Sequence, residues 1–180
     1  TRRTMQVLDA HCPAPRTAPV LPLAAARGGV ATWVHPGHFD AADPQLLDAG
    51  WWAAQRGDSS QDTRQAGRGQ VHFVAHAGRQ YLLRHYHRGG LMARISRDLF
   101  LRQTVPRSRA MAEFSLLSDL RVRGLPVPVP CAARRMRHLL FWYRADILVE
   151  RIPGATDVAR LLHTERALSP ADWQVLGRAI

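Results

Sequence analysis

Arg84 and Glu113 are the residues in this chain whose types and placement most suggest chemistry. Arg84 lies in Gln80-Tyr-Leu-Leu-Arg-His-Tyr86, a strand-like run. Its alternation puts Leu82, Arg84 and Tyr86 on one face and Tyr81, Leu83 and His85 on the other. Glu113 lies in the helix-like run 107–123, at spacings of three, four and seven from Ala110, Leu116, Leu117 and Leu120. A carboxylate on an apolar stripe is strongly destabilising unless it meets a positive partner and hydrogen bonds. Arg84 is the candidate partner. A basic residue on a strand, oriented by a glutamate on the following helix, is the device that holds ATP phosphates in kinase-like folds. The plainer alternative leaves Glu113 at the edge of the stripe and Arg84 in solvent.

Other residues offer weaker signals. Gly67 and Gly69 precede the strand-like Val71-His-Phe-Val-Ala75, and Ala77-Gly78 then turns the chain into the Arg84 strand. A glycine pair lets backbone N–H groups approach a phosphate, although most Gly-x-Gly pairs are ordinary turns. His35, His38 and Asp40 have a spacing that a metal could use. Without a supporting helix or further ligands they read as a loop. Cys12 and Cys131 are far apart and lack Cys-x-x-Cys spacing, which argues against a zinc site or a disulfide scaffold and for a reducing compartment.

The charge balance narrows the partner. There are 25 Lys+Arg against 14 Asp+Glu, a net charge of +11, and all of the basic residues are arginine. Arginine binds phosphate and carboxylate in bidentate fashion, so an anionic partner is expected: a phosphorylated lipid, an acidic membrane surface or a nucleic acid. A GC-rich coding sequence would produce the same arginine and alanine bias. No helix-turn-helix signal, zinc spacing or aromatic RNP-like strand accompanies the charge, so nucleic acid is not the expected partner. No apolar run approaches the ~20 residues of a membrane-spanning helix.

The elements that must position Arg84 and Glu113 follow from the rest of the chain. Residues 1–38 are expected to form a poorly ordered tail, the Pro-, Ala- and Arg-rich stretch Thr1 to Gly29 showing no steady period. Asp43-Pro44 opens a short helix through Leu46, Leu47 and Trp51-Trp52. Leu91 to Arg102 reads as a basic amphipathic helix, and such a segment can lie in a lipid interface or pack under the lobe. The Glu113 helix ends at Gly124, a C′ glycine ahead of Pro126. Val127 to Ala133 suits an edge strand interrupted by prolines, Arg134 to His138 a basic turn, and Leu139 to Glu150 a long strand ending near Pro153-Gly154. Asp157 to Leu162 reads as a short helix, and Ser169-Pro-Ala-Asp172 is a capping box opening another. The chain then stops at Ile180 without a C-terminal cap, so further sequence is expected beyond it.

A glycine-bearing hairpin, a basic strand, a glutamate helix, two more strands and a hinge form the element order of a kinase N-lobe. Tyr81-Leu-Leu-Arg84-His-Tyr-His-Arg-Gly-Gly90, Glu113-Phe-x-Leu-Leu, Arg123-Gly-Leu-Pro-Val-Pro128 and Tyr143-Arg-Ala-Asp-Ile147 together resemble the lipopolysaccharide kinases of the 3-deoxy-D-manno-octulosonic acid (Kdo) kinase group, over about Phe39 to Ile180. The resemblance implies an α+β, protein-kinase-like N-lobe over residues 39–153, an antiparallel sheet plus one main helix. A hinge and the first helices of a truncated C-lobe would occupy residues 154–180. It implies ATP and Mg2+ as cofactors and phosphorylation of the 4-hydroxyl of Kdo on a Kdo-lipid A type glycolipid. The reaction would take place at the anionic cytoplasmic face of the inner membrane, with the protein bound peripherally. By position, Gly67 and Gly69 would cover the phosphates, and Arg84 would hold them where kinases usually carry lysine. Glu113 would orient Arg84, and Glu150 and Ile152 would lie at the adenine. The family's catalytic His-x-Asp-x-x-x-x-Asn string is absent from these residues, so the chemical residues are expected beyond Ile180 and the chain alone is expected to be inactive. Another small-molecule or glycolipid kinase, or a non-catalytic basic binding module, remains the alternative.

Overall fold

Successive side chains of each strand point to opposite faces and build one layer, with the strands Pro130–His138 and Trp142–Glu150 at its centre buried on both faces. In the computed structural model, residues 20–56, 63–66, 69–86, 99–101, 103–138, 141–155 and 169–178 are described. The chain divides into two compact units, one of Ala14–Arg151 and one of Thr1–Pro13 with Ile152–Ile180.

Among the described residues the larger unit is an α+β domain with eight strands in one antiparallel sheet. These are β1 (Leu23–Arg27), β2 (Val30–Val34), β3 (Thr63–Ala66), β4 (Gly69–His76), β5 (Arg79–His85), β6 (Phe100–Leu101), β7 (Pro130–His138) and β8 (Trp142–Glu150). Their order is β1-β2-β7-β8-β5-β4-β3, with β6 paired to β8. β5 covers Asp146 to Glu150 of β8, and β6 takes the same edge at Trp142 and Tyr143. A 3-10 turn at Pro44–Leu47 and helices α1 (Ala49–Arg56) and α2 (Arg109–Val122) complete this unit. In the smaller unit, α3 (Pro170–Arg178) is capped by the expected Ser169–Asp172 box.

The sheet has a core on each face. On one, Val34, Val74, Tyr81, Leu83, Ala132 and Leu148 pack under Phe39, Leu46, Leu47 and Trp52. On the other, Ala31, Ala133, Tyr143, Ala145 and Ile147 pack under Ala110, Met111 and Phe114 of α2. Alternate residues of β8 therefore serve opposite cores. The Asp43 side chain accepts from the Gln45 N–H at 2.8 Å and starts the 3-10 turn. At the end of α2, Gly124 adopts φ +80°, its N–H donates to the Arg121 carbonyl and the Leu125 N–H donates to the Leu120 carbonyl. This pair of bonds is a Schellman stop.

Five expectations need correction. Within the supposed tail, Leu23–Arg27 and Val30–Val34 pair as strands, Arg27 opposite Val30. Gly28 and Gly29 both have positive φ and make the two-residue hairpin turn. Alternation was silent there because every β1 residue is exposed. Arg134 to His138 is not a turn but half of β7, its arginines alternating between faces, and the prolines in 127–133 do not mark an edge, since β7 lies between β2 and β8. Phe100 and Leu101, placed in a helix by their spacing, are the strand β6. The buried stripe of α2 is Ala110, Met111 and Phe114, while Leu116 is 56% exposed. The expectations for residues 1–19, for most of 87–102 and for 156–168 lie outside the described residues.

Candidate functional site

β5 runs between β4 and β8, with Arg84 opposite Val71 on one side and Ile147 on the other. Both neighbours are buried, so the backbone beneath Arg84 is held by a packed sheet. α2 crosses the same face over β7 and β8, and Glu113, one residue before buried Phe114, sits at the rim of its apolar stripe. From there the carboxylate reaches Arg84: Arg84 Nη2 donates to Glu113 Oε1.

Tyr86 completes the group. Its hydroxyl donates to Glu113 Oε2, and its oxygen accepts from Arg84 Nη2 at 3.2 Å. The Arg84 guanidinium also lies over the Tyr86 ring, Cζ 4.9 Å from the centroid, with the Arg109 guanidinium 5.4 Å from the same centroid. Burial and the hydrogen bond to Glu113 push the Tyr86 phenol well above its ordinary pKa, so it stays a neutral donor. Burial pulls the Arg84 pKa down, but Tyr86 and Glu113 outweigh it and leave the guanidinium more firmly protonated than usual. The side chains of Arg84 and Glu113 are 38% and 33% exposed. This is a half-open site with one fixed positive charge. Tyr86 was overlooked as a functional residue, although its position two residues after Arg84 on the same face was the available signal.

A second ionic group occupies the opposite face of the same strands. Asp146 Oδ2 accepts from Arg134 Nε at 2.9 Å and Asp146 Oδ1 bonds to His85 Nδ1. The remaining Arg134 nitrogens donate to the carbonyls of Pro44 at 2.9 Å and Leu47 at 2.6 Å. Arg134 and Asp146 are buried. The group ties the 3-10 turn to the sheet.

The other sequence-derived site residues are placed as follows. Gly69 opens β4; the β4–β5 register puts it on the face and neighbouring strand of Arg84, two residues before Val71. Gly67 lies outside the described residues. Glu150 ends β8, and its N–H is already given to the Val129 carbonyl at 2.9 Å. Ile152 opens the smaller unit, where its carbonyl accepts from Ala155 at 3.4 Å. The structure thus unites Arg84 with Glu113, and sets Gly69 beside them. His35 and His38 stack edge to face at 5.1 Å, with Arg79 Nη1 at 3.2 Å from His38 Nδ1, a poor setting for a cation. Among the described residues no three His, Cys, Asp or Glu side chains converge as a metal site would require. No helix among them is long and apolar enough to cross a membrane.

Residues 50–180 match the Lipopolysaccharide kinase (Kdo/WaaP) family. The chain is similar to proteins named 3-deoxy-D-manno-octulosonic acid kinase from several bacteria. That of Actinobacillus succinogenes is 46% identical over 98 residues, 54% of this chain and 40% of that protein. That of Xanthomonas campestris pv. campestris is 40% identical over 143 residues, 79% of this chain and 56% of that protein. That of Photobacterium profundum is 37% identical over 149 residues, 82% of this chain and 61% of that protein. The chain therefore spans about half the length of the curated relatives it matches. No solved structure gives a significant match. With more than half of its length inside the family match, the chain belongs to the lipopolysaccharide kinase (Kdo/WaaP) family.

Proposed function

We propose that this chain supplies the nucleotide-positioning part, a protein-kinase-like N-lobe, of an ATP-dependent kinase. Its acceptor is the 4-hydroxyl of Kdo on Kdo-lipid IVA or lipid A, in lipopolysaccharide core biosynthesis. The names of its relatives and the family match support the reaction class. One observation carries the role of this chain: Arg84 is held on a rigid strand by Glu113 and Tyr86 while part of its guanidinium stays open.

The residues present suit a polyphosphate. The Nε of Arg84 is buried and has no hydrogen-bond partner among the described residues, and a phosphate oxygen is the kind of acceptor it lacks. ATP bound here supplies the phosphoryl group, with Mg2+ offsetting its negative charge. Arg84 fixes the phosphates by charge and by its forked geometry. Glu113 and Tyr86 fix Arg84, so that its position needs no reorganisation when charge develops. Gly69, on the neighbouring strand, gives the backbone close access on that face, and Gly67 is assigned the same role from the sequence. Glu150 and Ile152 are assigned to the adenine by resemblance. Since the Glu150 N–H is taken by Val129, recognition there falls to the remaining backbone groups. The Mg2+ ligands are assigned by the resemblance to residues outside this chain.

The test is titration of the chain with ATP, and a transfer assay of the complete enzyme with labelled ATP, Mg2+ and Kdo-lipid A. The expected result is ATP binding that Arg84→Ala abolishes, and phosphorylation of Kdo by the complete enzyme alone. Transfer to a different sugar, or ATP binding indifferent to Arg84→Ala, overturns the reading.

A further inference from the structure

The described end of the β7–β8 hairpin gathers apolar and basic side chains without a carboxylate. Leu101 stands opposite Trp142, and Trp142 opposite His138. One step inward, Arg144 stands opposite Met136, Met136 opposite Val30, and Val30 opposite Arg27. Paired residues share a face, as do residues two apart along a strand, so all of these lie on the face that carries Arg134 and Asp146 further along. Phe141, where the chain enters β8, is 67% exposed, and Leu101 is 57% exposed. Arg27, on this face, and Arg137, on the other face opposite Tyr143, are also exposed. No Asp or Glu occurs in residues 20–34 or 130–145, and the next acid along β8, Asp146, is taken by Arg134 and His85.

Large apolar side chains exposed at the end of a sheet are unfavourable in water, and arginines beside them disfavour an apolar protein pocket. The interface of an anionic bilayer satisfies both. Aromatic and aliphatic tips enter the acyl boundary while arginine heads remain at the phosphates. The net charge of +11 attracts the chain to the same surface. We propose that this end of the β7–β8 hairpin seats on an anionic lipid surface, with Phe141 and Leu101 in the headgroup–acyl boundary and Arg27 and Arg137 at lipid phosphates. The inference extends the kinase reading, from which it borrows only that the acceptor is carried by a lipid. It stands on charge and exposure at residues that take no part in the Arg84–Glu113–Tyr86 group.

Co-sedimentation of the chain with phosphatidylglycerol–phosphatidylethanolamine vesicles and with phosphatidylcholine vesicles tests it. Binding is expected to the first and not the second, and to fall with salt. Arg27→Gln and Arg137→Gln should each weaken it about fivefold, and the double variant Leu101→Ser/Phe141→Ser about tenfold or more. These residues are exposed, and an unchanged melting curve confirms each fold. The double variant Leu116→Ser/Leu125→Ser, which removes exposed apolar groups around α2, should bind like the parent. Several results overturn the proposal: no binding to anionic vesicles, equal binding by the Leu101→Ser/Phe141→Ser variant, competition by millimolar inorganic phosphate, or self-association of the chain in place of vesicle binding. ATP titration of the same preparations keeps the two readings apart. Lost vesicle binding with intact ATP binding overturns only this inference, and the converse overturns only the nucleotide role.

Discussion

Two ionic groups sit back to back on β5 and β8, built from similar residues yet suited to opposite tasks. Under the 3-10 turn, Arg134 and Asp146 are 11% and 4% exposed, and every Arg134 nitrogen has a carboxylate or carbonyl partner. Under α2, Arg84 and Glu113 are 38% and 33% exposed, and Arg84 Nε has no partner among the described residues. A saturated buried network fixes structure because every member would be left costly if one were removed. A half-open pair adds little to stability but keeps a charge available. The difference lies in burial and saturation, not in residue type, and it separates a strut from a charge left open to solvent.

Breaking the strut should have the largest effect. Asp146→Ala leaves Arg134 buried without its carboxylate, and loss of one partner of a buried pair is destabilising by about 3–5 kcal/mol. Urea unfolding of the larger unit measures it. A loss below about 1 kcal/mol, the level of an exposed pair, would erase the contrast.

Breaking the open pair should leave folding nearly intact and remove function. Arg84→Ala is expected to change unfolding free energy by about 0.2–1 kcal/mol. In the complete enzyme it should lower turnover by about 10²–10³-fold, as loss of a preorganised electrostatic group does. A variant that unfolds like Asp146→Ala would make Arg84 a second strut.

The contrast was only half legible in the sequence. An arginine within an alternating strand and a glutamate four residues before Leu117 pointed to each other, because strand and helix periods are local. So were the α2 stop and the Asp43 and Ser169 caps, which depend on residues a few positions apart, whereas the antiparallel α+β layout came with the family resemblance. The strut was not legible. Arg134 and Asp146 meet across a β7–β8 register that the run Arg134-Arg-Met-Arg-His138 hid, since its polar residues occupy both faces and alternation disappears. The 3-10 turn reaches Arg134 over a separation of about ninety residues, beyond any local pattern. The β1–β2 hairpin was missed for a related reason. Its outer strand is an exposed edge of small residues, and only Gly28-Gly29 between two short apolar runs marked it.

A finer cut sharpens the open side. Tyr86→Phe keeps the ring under the Arg84 guanidinium but removes the hydroxyl that bridges it to Glu113. A hydrogen bond to a charged group contributes about 1.5–3 kcal/mol. Tyr86 is only 6% exposed, so a destabilisation near the lower end of that range is expected by urea unfolding. In the complete enzyme the KM for ATP should rise more than kcat falls, since Arg84 keeps its charge and loses only its anchoring. An unchanged KM would remove Tyr86 from the site.

The smallest effect distinguishes the faces by pH. His38 lies beside Tyr81 on the strut's face, 5.1 Å from the His35 ring and 3.2 Å from Arg79. Burial, then His35, Arg79 and Arg121, lower its pKa from 6.5 to about 4. His35 is shifted in the same direction, by burial first and then by Arg121. Between these values the unfolded chain holds a proton at His38 that the folded chain refuses, so folding stability rises with pH. The contribution is therefore complete above about pH 6.5 and declines as pH falls toward 4. His38→Gln should flatten the urea midpoint across that window, and His35→Gln/His38→Gln should flatten it further. Arg84→Ala should leave the slope untouched, because neither histidine contacts the open pair. A slope that survives in the double variant would pass the effect to His72, which burial shifts the same way on the same face, and one that vanishes in Arg84→Ala would move it to the other face of the sheet.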